Sequence, residues 1–166
     1  LFDIETLINA AQPQRILLLG NIDPAFLQDY VDQKALLRQP CEITHISSNN
    51  LNELWQLQAR FDVALVVNLL EHIDKIIGQQ VLSRLRDVLS PQYCVAVPID
   101  HKDANWQLTD LFSFALSKVN HYSNEQDLTN PPLTLFKYNI EDYKKTPDWL
   151  NADNWANPQL WGKYWW

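Results

Sequence analysis

Short unbroken apolar runs alternate along this chain with longer amphipathic stretches, so the hydrophobic period switches repeatedly between that of a buried strand and that of a helix. Phe2, Ile4, Leu7, Ile8 and Ala11 recur at helical spacing ahead of Pro13, which predicts a lead-in helix. Ile16, Leu17, Leu18 and Leu19 predict a strand over 15–20 that stops at a glycine turn. Asp23 and Pro24 have the character of an N-cap and first-turn pair. They open a predicted helix with Leu27, Tyr30, Val31 and Ala35 on its apolar face, running toward Leu37. A strand over 41–46, a polar turn over 47–50 and a helix over 51–59, with Leu51, Leu54, Trp55 and Gln58 on one side, complete the next unit.

Residues 61–72 are the stretch around which the pattern is organised. Val63, Ala64, Leu65, Val66 and Val67 are continuously apolar, as a parallel strand covered on both faces requires, with Asp62 and Asn68 at its ends. The polar turn after it is expected to feed a helix whose buried face is Ile73, Ile77, Val81, Leu85 and Val88, stopped by Ser90 and Pro91. A strand over 93–97 and a helix over 106–116, through Trp106, Leu108, Leu111, Phe112 and Ala115, follow. Two last strands, 118–122 and 133–138, are joined by a polar, proline-containing segment and suit an antiparallel pair. The predicted class is α/β: a three-layer α-β-α, Rossmann-like sandwich with a mostly parallel sheet and a C-terminal antiparallel pair. Its ligand crevice would lie beyond the carboxyl ends of the strands, among residues 20–23, Ser47, 68–72 and 98–101.

Composition narrows the partners. A chain of 166 residues, 46% hydrophobic, can bury the core of one ordinary domain. Its formal charge of -7 repels phosphate backbones and anionic lipid, so neither nucleic acid nor a membrane surface is an expected partner. No run approaches the roughly 18 apolar residues of a membrane span, and the N-terminus has no signal-like segment, so the expected compartment is the cytoplasm. Cys41 and Cys94 each open a strand-like run and read as reduced core thiols.

The run Phe61-Asp62-Val63, the segment Asn68-Leu69-Leu70-Glu71-His72, the helix end Leu89-Ser90-Pro91 and the strand ending Val97-Pro98 together resemble the class I S-adenosylmethionine-dependent methyltransferases. The resemblance covers roughly residues 13–140 in order of elements. It implies a methyltransferase-like domain over 1–140, one strand and one helix short of the full fold, and a separate tail over 141–166. In that family the turn after the first strand is acidic-x-Gly-x-Gly-x-Gly. Here it reads Leu18-Leu19-Gly20-Asn21-Ile22-Asp23-Pro24, in which only Gly20 fits: Ile22 and Pro24 replace glycines and would stand in the ligand space, Asp23 would repel the cofactor's carboxylate, and Ser47 stands where the family's ribose-binding acid would be. The cofactor loop is therefore degenerate, no cofactor is expected, and the domain reads as a non-catalytic binding or interaction module. The alternative is an active enzyme with a rebuilt S-adenosylmethionine site, using Gly20, Asn21, Ser47 and Asn68 for the cofactor and Glu71 or His72 beside the substrate.

His45, His72 and His101 are predicted near strand ends with Asp23, Asp100 and Asp103, but no pair has a compact metal-ligand spacing, and no metal is expected. In the tail, Trp149, Trp155, Trp161, Trp165 and Trp166 recur among Asn, Asp and Pro, with Tyr143 and Tyr164 adding aromatic area. Such area needs cover, either from the domain itself or from a protein partner or second copy. Lys144, Lys145 and Lys163 face Glu141, Asp142, Asp148 and Asp153, a balance that disfavours single-stranded nucleic acid.

Overall fold

The computed structural model describes residues 2–99, 104–123, 132–143 and 163. In chain order the elements are α1 (Phe2–Ala11), β1 (Arg15–Leu19), α2 (Gln28–Leu36), β2 (Glu42–Ile46), α3 (Asn52–Gln56), β3 (Val63–Val67), α4 (Lys75–Arg84), β4 (Gln92–Pro98), α5 (Leu108–Phe112), β5 (Ser117–Tyr122), β6 (Leu133–Asn139) and α6 (Ile140–Tyr143). The strands form one six-stranded sheet in the order β2-β1-β3-β4-β6-β5. The first four strands are parallel, and β6 pairs antiparallel with both β4 and β5. Ile16 to Leu19 lie beside Val63 to Val66 in register, as the two apolar runs require.

Every residue of β3 is buried, because helices cover both of its faces. On one face Leu17, Leu19, Ala64, Val66, Val95 and Val97 pack with Leu54 of α3, Val81 and Leu82 of α4, and Leu111 of α5. On the other, Ile16, Leu18, Val63, Leu65, Cys94 and Leu135 pack with Ile4 and Ile8 of α1 and with Leu27 and Tyr30. Asp62 fixes the entry of the two central strands, since its Oδ2 accepts hydrogen bonds from the backbone N–H of Gln14 and Arg15 at 2.8 and 2.9 Å. Burial pushes the Cys94 thiol up to about 12, as suits an inert core cysteine, while Cys41 is only partly covered. Among the described residues no helix is long and apolar enough to cross a membrane.

Several expected helices are shorter or start later. The helix after β3 begins at Lys75, not at the Leu-Glu-His segment, because Asp74 caps it by accepting from the Ile76 N–H at 2.8 Å. That helix ends in a π turn, Leu85–Leu89, closed by a Ser90 N–H to Leu85 O bond of 2.9 Å. The extra residue in that turn rotates the face, so Leu89 is buried and the expected core residue Val88 is 44% exposed. Ile77 is also 40% exposed, and Gly78 and Leu82 face inward in its place. The helix after Pro24 opens as a 3-10 turn, Pro24–Leu27, and buries Lys34 where Ala35 was expected. The helix expected over 51–59 is only α3. Trp106 precedes α5 instead of lying on it, fully buried against Gly78 and donating its indole N–H to Leu70 O at 3.2 Å.

Candidate functional site

The carboxyl ends of β1, β2 and β3 meet at Gly20, Ser47 and Asn68, so the crevice expected from the topology is built from these three turns. Gly20 sits at φ +123, and a Cβ there would lie 1.9 Å from Val67 O. Only glycine lets the first turn come so close to the end of β3. The Gly20 N–H donates to Ile46 O at 2.9 Å, and the Asn21 N–H donates to Asn68 O at 3.1 Å. The first turn is thereby tied on one side to β2 and on the other to β3.

Side chains close the same ring of contacts. Asn21 Oδ1 accepts from both the N–H and the hydroxyl of Ser48, at 3.2 and 2.9 Å. Asn68 Nδ2 donates to Asn21 O at 2.8 Å, and His72 Nε2 donates to Asn68 Oδ1 at 2.7 Å. His45 Nε2 donates to Gly20 O at 2.9 Å. Because each partner is a carbonyl oxygen, both imidazoles carry their proton on Nε2. Asn68 adopts φ +54, a left-handed conformation that asparagine tolerates, and this turns its amide toward the first loop.

Asp23 Oδ1 accepts from the Ala25 N–H at 2.9 Å, as the N-cap reading required. Ile22 is half-buried against the apolar cluster of Ile16, Leu18 and Val67, so its side chain anchors the loop downward onto the sheet. The predicted site residues Gly20, Asn21, Asn68 and His72 are thus brought together. Ser47 is adjacent but makes no capping bond; its neighbour Ser48 is the one that binds Asn21. Ser48 and His45 were legible only as a polar turn and a strand-end histidine, since nothing local in sequence names Asn21 or Gly20 as their partner.

Glu71 and His72 lie in the turn before Asp74, not in a helix, and they differ in environment. His72 is exposed and points back to Asn68. Glu71 Oε2 is buried with no hydrogen-bond partner among the described residues. Burial raises the Glu71 carboxyl above its usual range, opposed by backbone N–H groups of the turn and by His72. Among the described residues no three of His, Cys, Asp and Glu gather as a metal site would need. Asp100, His101, Asp103 and the aromatic tail, with Trp149, Trp155, Trp161, Trp165, Trp166 and Tyr164, lie outside the described residues.

Comparison with known proteins bears on the fold. Residues 2–166 match a family described as "Family of unknown function (DUF6231)". No curated protein matches the sequence. Among solved structures, the bifunctional kinase-methyltransferase WbdD is similar with a TM-score of 0.57 and 16% identity, over 82% of this chain and 37% of that one. TehB from Haemophilus influenzae is similar with a TM-score of 0.51 and 7% identity, over 84% of this chain and 62% of that one. The 1,6-didemethyltoxoflavin-N1-methyltransferase of Burkholderia thailandensis, solved with S-adenosylhomocysteine, gives 0.49 and 13%, over 81% and 74%. The chain therefore spans little more than a third of WbdD and under two thirds of TehB. The likeness is one of fold alone: a methyltransferase-like α/β arrangement around a six-stranded mixed sheet.

Proposed function

We propose that this chain, which belongs to the DUF6231 family of unknown function, is a methyltransferase-like domain that has given up the cofactor and serves as a binding or interaction module. The observation that carries this reading is the closed first turn. A turn that receives a nucleoside and an amino-acid carboxylate needs free backbone N–H groups and room above them. Here the Asn21 N–H is spent on Asn68, the Ser48 donors on Asn21, and the Ala25 N–H on the carboxylate of Asp23. Asp23 also places negative charge where the cofactor's own carboxylate would come. In this reading the donors and charge around the turn do not fit S-adenosylmethionine.

Calorimetric titration of S-adenosylmethionine and of S-adenosylhomocysteine, each to millimolar concentration, tests the reading. No heat of binding is expected; micromolar affinity for either compound overturns it.

Two observations favour a second reading, an active S-adenosylmethionine-dependent methyltransferase with a rebuilt site. Glu71 Oε2 is a buried acceptor with no donor among the described residues, and Ser47 has no capping duty. In that reading Asn21, Ser47 and Asn68 hydrogen-bond the cofactor, and Glu71 or His72 serves the substrate. It needs the Asn21–Ser48 contact to open on binding, so the same titration decides between the two. The interaction module would meet a protein partner or a second copy through its Trp-rich tail. Deleting residues 144–166 and measuring mass by light scattering checks that part.

A further inference from the structure

The two edges of the sheet are treated differently, and the difference points to a partner. At one edge, β5 carries Lys118, has a register irregularity between Lys118 and Asn120, and is tied to α1 because Asp3 Oδ2 accepts from Asn120 Nδ2 and from the Tyr122 hydroxyl. Charge, bulge and cross-bracing are the devices by which an edge is kept from pairing with another chain. At the other edge, β2 pairs with β1 in unbroken register over all five residues and contains neither proline nor lysine.

Backbone bonds show which groups of β2 face outward. The Glu42 N–H donates to Gln14 O at 2.8 Å and Ile46 O accepts from Gly20, so Glu42, Thr44 and Ile46 bond inward. Parallel pairing alternates, which leaves the N–H and C=O of Ile43 and His45 directed away from β1. Among the described residues no strand lies on that side. Two large apolar side chains stand just ahead of this strand in the chain: Leu36 and Leu37, at the end of α2, are 85% and 59% exposed.

We propose that β2 is the interface of a homodimer, in which two copies pair their β2 strands antiparallel about a two-fold axis at Thr44. The strand is complementary to itself in that arrangement. Each Ile43 would face the second copy's His45, so the two outward N–H and two outward C=O groups of each strand are all satisfied, and Thr44 would meet its own copy, a favourable cross-strand pair. Charge permits it despite a formal -7 per chain. Glu42 would lie opposite the second copy's Ile46, keeping the two carboxylates about 13 Å apart along the strands, beyond the screening length of about 8 Å at physiological salt. A two-fold pairing also closes, leaving β5 as the outer edge on both sides.

The test uses the full chain in sedimentation equilibrium from about 1 to 200 µM, a range that spans transient to stable association. The expected mass rises toward twice the 19.4 kDa of one chain. Ile43→Pro removes an outward donor without touching the bonds to β1, and two-fold symmetry removes it twice, so at least roughly tenfold weaker association is expected with an unchanged circular dichroism spectrum. Leu36→Glu with Leu37→Glu, at positions too exposed to affect folding, is expected to weaken association to a similar degree. A chain that stays monomeric over the whole range overturns the proposal. So does a dimer whose strength neither variant changes, which would assign association to another surface such as the tail.

Discussion

Replacing Gly20 by alanine should be among the most damaging single-atom additions this domain can receive. The residue sits at φ +123, where L side chains are strained by about 1–3 kcal/mol. A Cβ would also meet Val67 O at 1.9 Å and Val67 C at 2.9 Å, backbone atoms of a central strand that cannot rotate away. The turn would have to withdraw by roughly an ångström, which stretches the Gly20 N–H to Ile46 O bond from 2.9 Å and the Asn21 N–H to Asn68 O bond from 3.1 Å past useful length. Each lost bond costs about 0.5–1.5 kcal/mol. Together the loss comes to about 4 kcal/mol, a large share of the roughly 5–15 kcal/mol that keeps a domain folded. For a chain of this size that is a fall in Tm of roughly 10 °C. Thermal melting followed by far-ultraviolet circular dichroism reads it directly, with Asn21→Ala as the comparison, since that variant removes only the side-chain acceptor for Ser48 and should cost about 1 kcal/mol. If Gly20→Ala lowers Tm by less than about 3 °C, the first turn is not held against β3 as described, and the argument for a closed crevice fails with it.

Gly78→Ala should destabilise by about 1–3 kcal/mol in chemical unfolding, the reverse of the roughly 1 kcal/mol gain usual in a helix interior, because the new Cβ would lie 2.6 Å from the buried Trp106 ring. Glu71→Gln should stabilise at neutral pH and not at pH 4. Burial raises the folded-state carboxyl, so its contribution is complete below the unfolded value and is lost as pH rises through the folded one; calorimetry from pH 4 to 8 should show the variant's advantage growing toward about 1 kcal/mol, a modest figure because the residue is only partly buried. Asp110→Ala should cost about 1–2 kcal/mol above pH 5, since Asp110 Oδ2 accepts from Lys75 Nζ at 2.6 Å and from the Gln107 N–H at 2.9 Å. The Lys75 hydrogen bond lowers the Asp110 carboxyl, so that difference should shrink as pH falls through the lowered value, as acid melts would show.

The fold was legible because its strands are written in the strongest local code. Ile16 to Leu19 and Val63 to Val67 are apolar without interruption, which only a strand buried on both faces can use, and they lie side by side as their composition demands. The boundaries of the helices were less legible, for reasons that can be named. The π turn at Leu85–Leu89 shifts the buried face by one residue, and a periodicity of 3.6 cannot anticipate an insertion closed by the Ser90 N–H. Trp106 fits a helical apolar face equally well inside α5 or ahead of it; its burial was decided by the absence of a side chain at Gly78, 28 positions earlier. Lys34 is buried despite its charge because its ammonium donates to Gln39 Oε1 at 2.9 Å and lies over the Tyr30 ring.

The crevice shows the limit from the other side. The missing glycines and the cap at Asp23 are local facts of the chain, and from them came the expectation that bulk and charge would obstruct the turn. The turn is in fact closed mainly by amide groups: Asn21 and Asn68, 47 positions apart, exchange backbone and side-chain hydrogen bonds, and Ser48 and His72 extend the chain of contacts to either side. Ile22, expected to stand over the ligand space, instead packs down on the sheet. Closure by hydrogen bonds and closure by bulk have different consequences. A bulky side chain excludes a ligand through its volume, whereas a polar lock excludes it only so far as the ligand's own donors and acceptors fail to match those released. Each of the four side chains in this lock is neutral or exposed, so a ligand able to replace them would be rich in amide-like donors and acceptors and would carry no carboxylate toward Asp23.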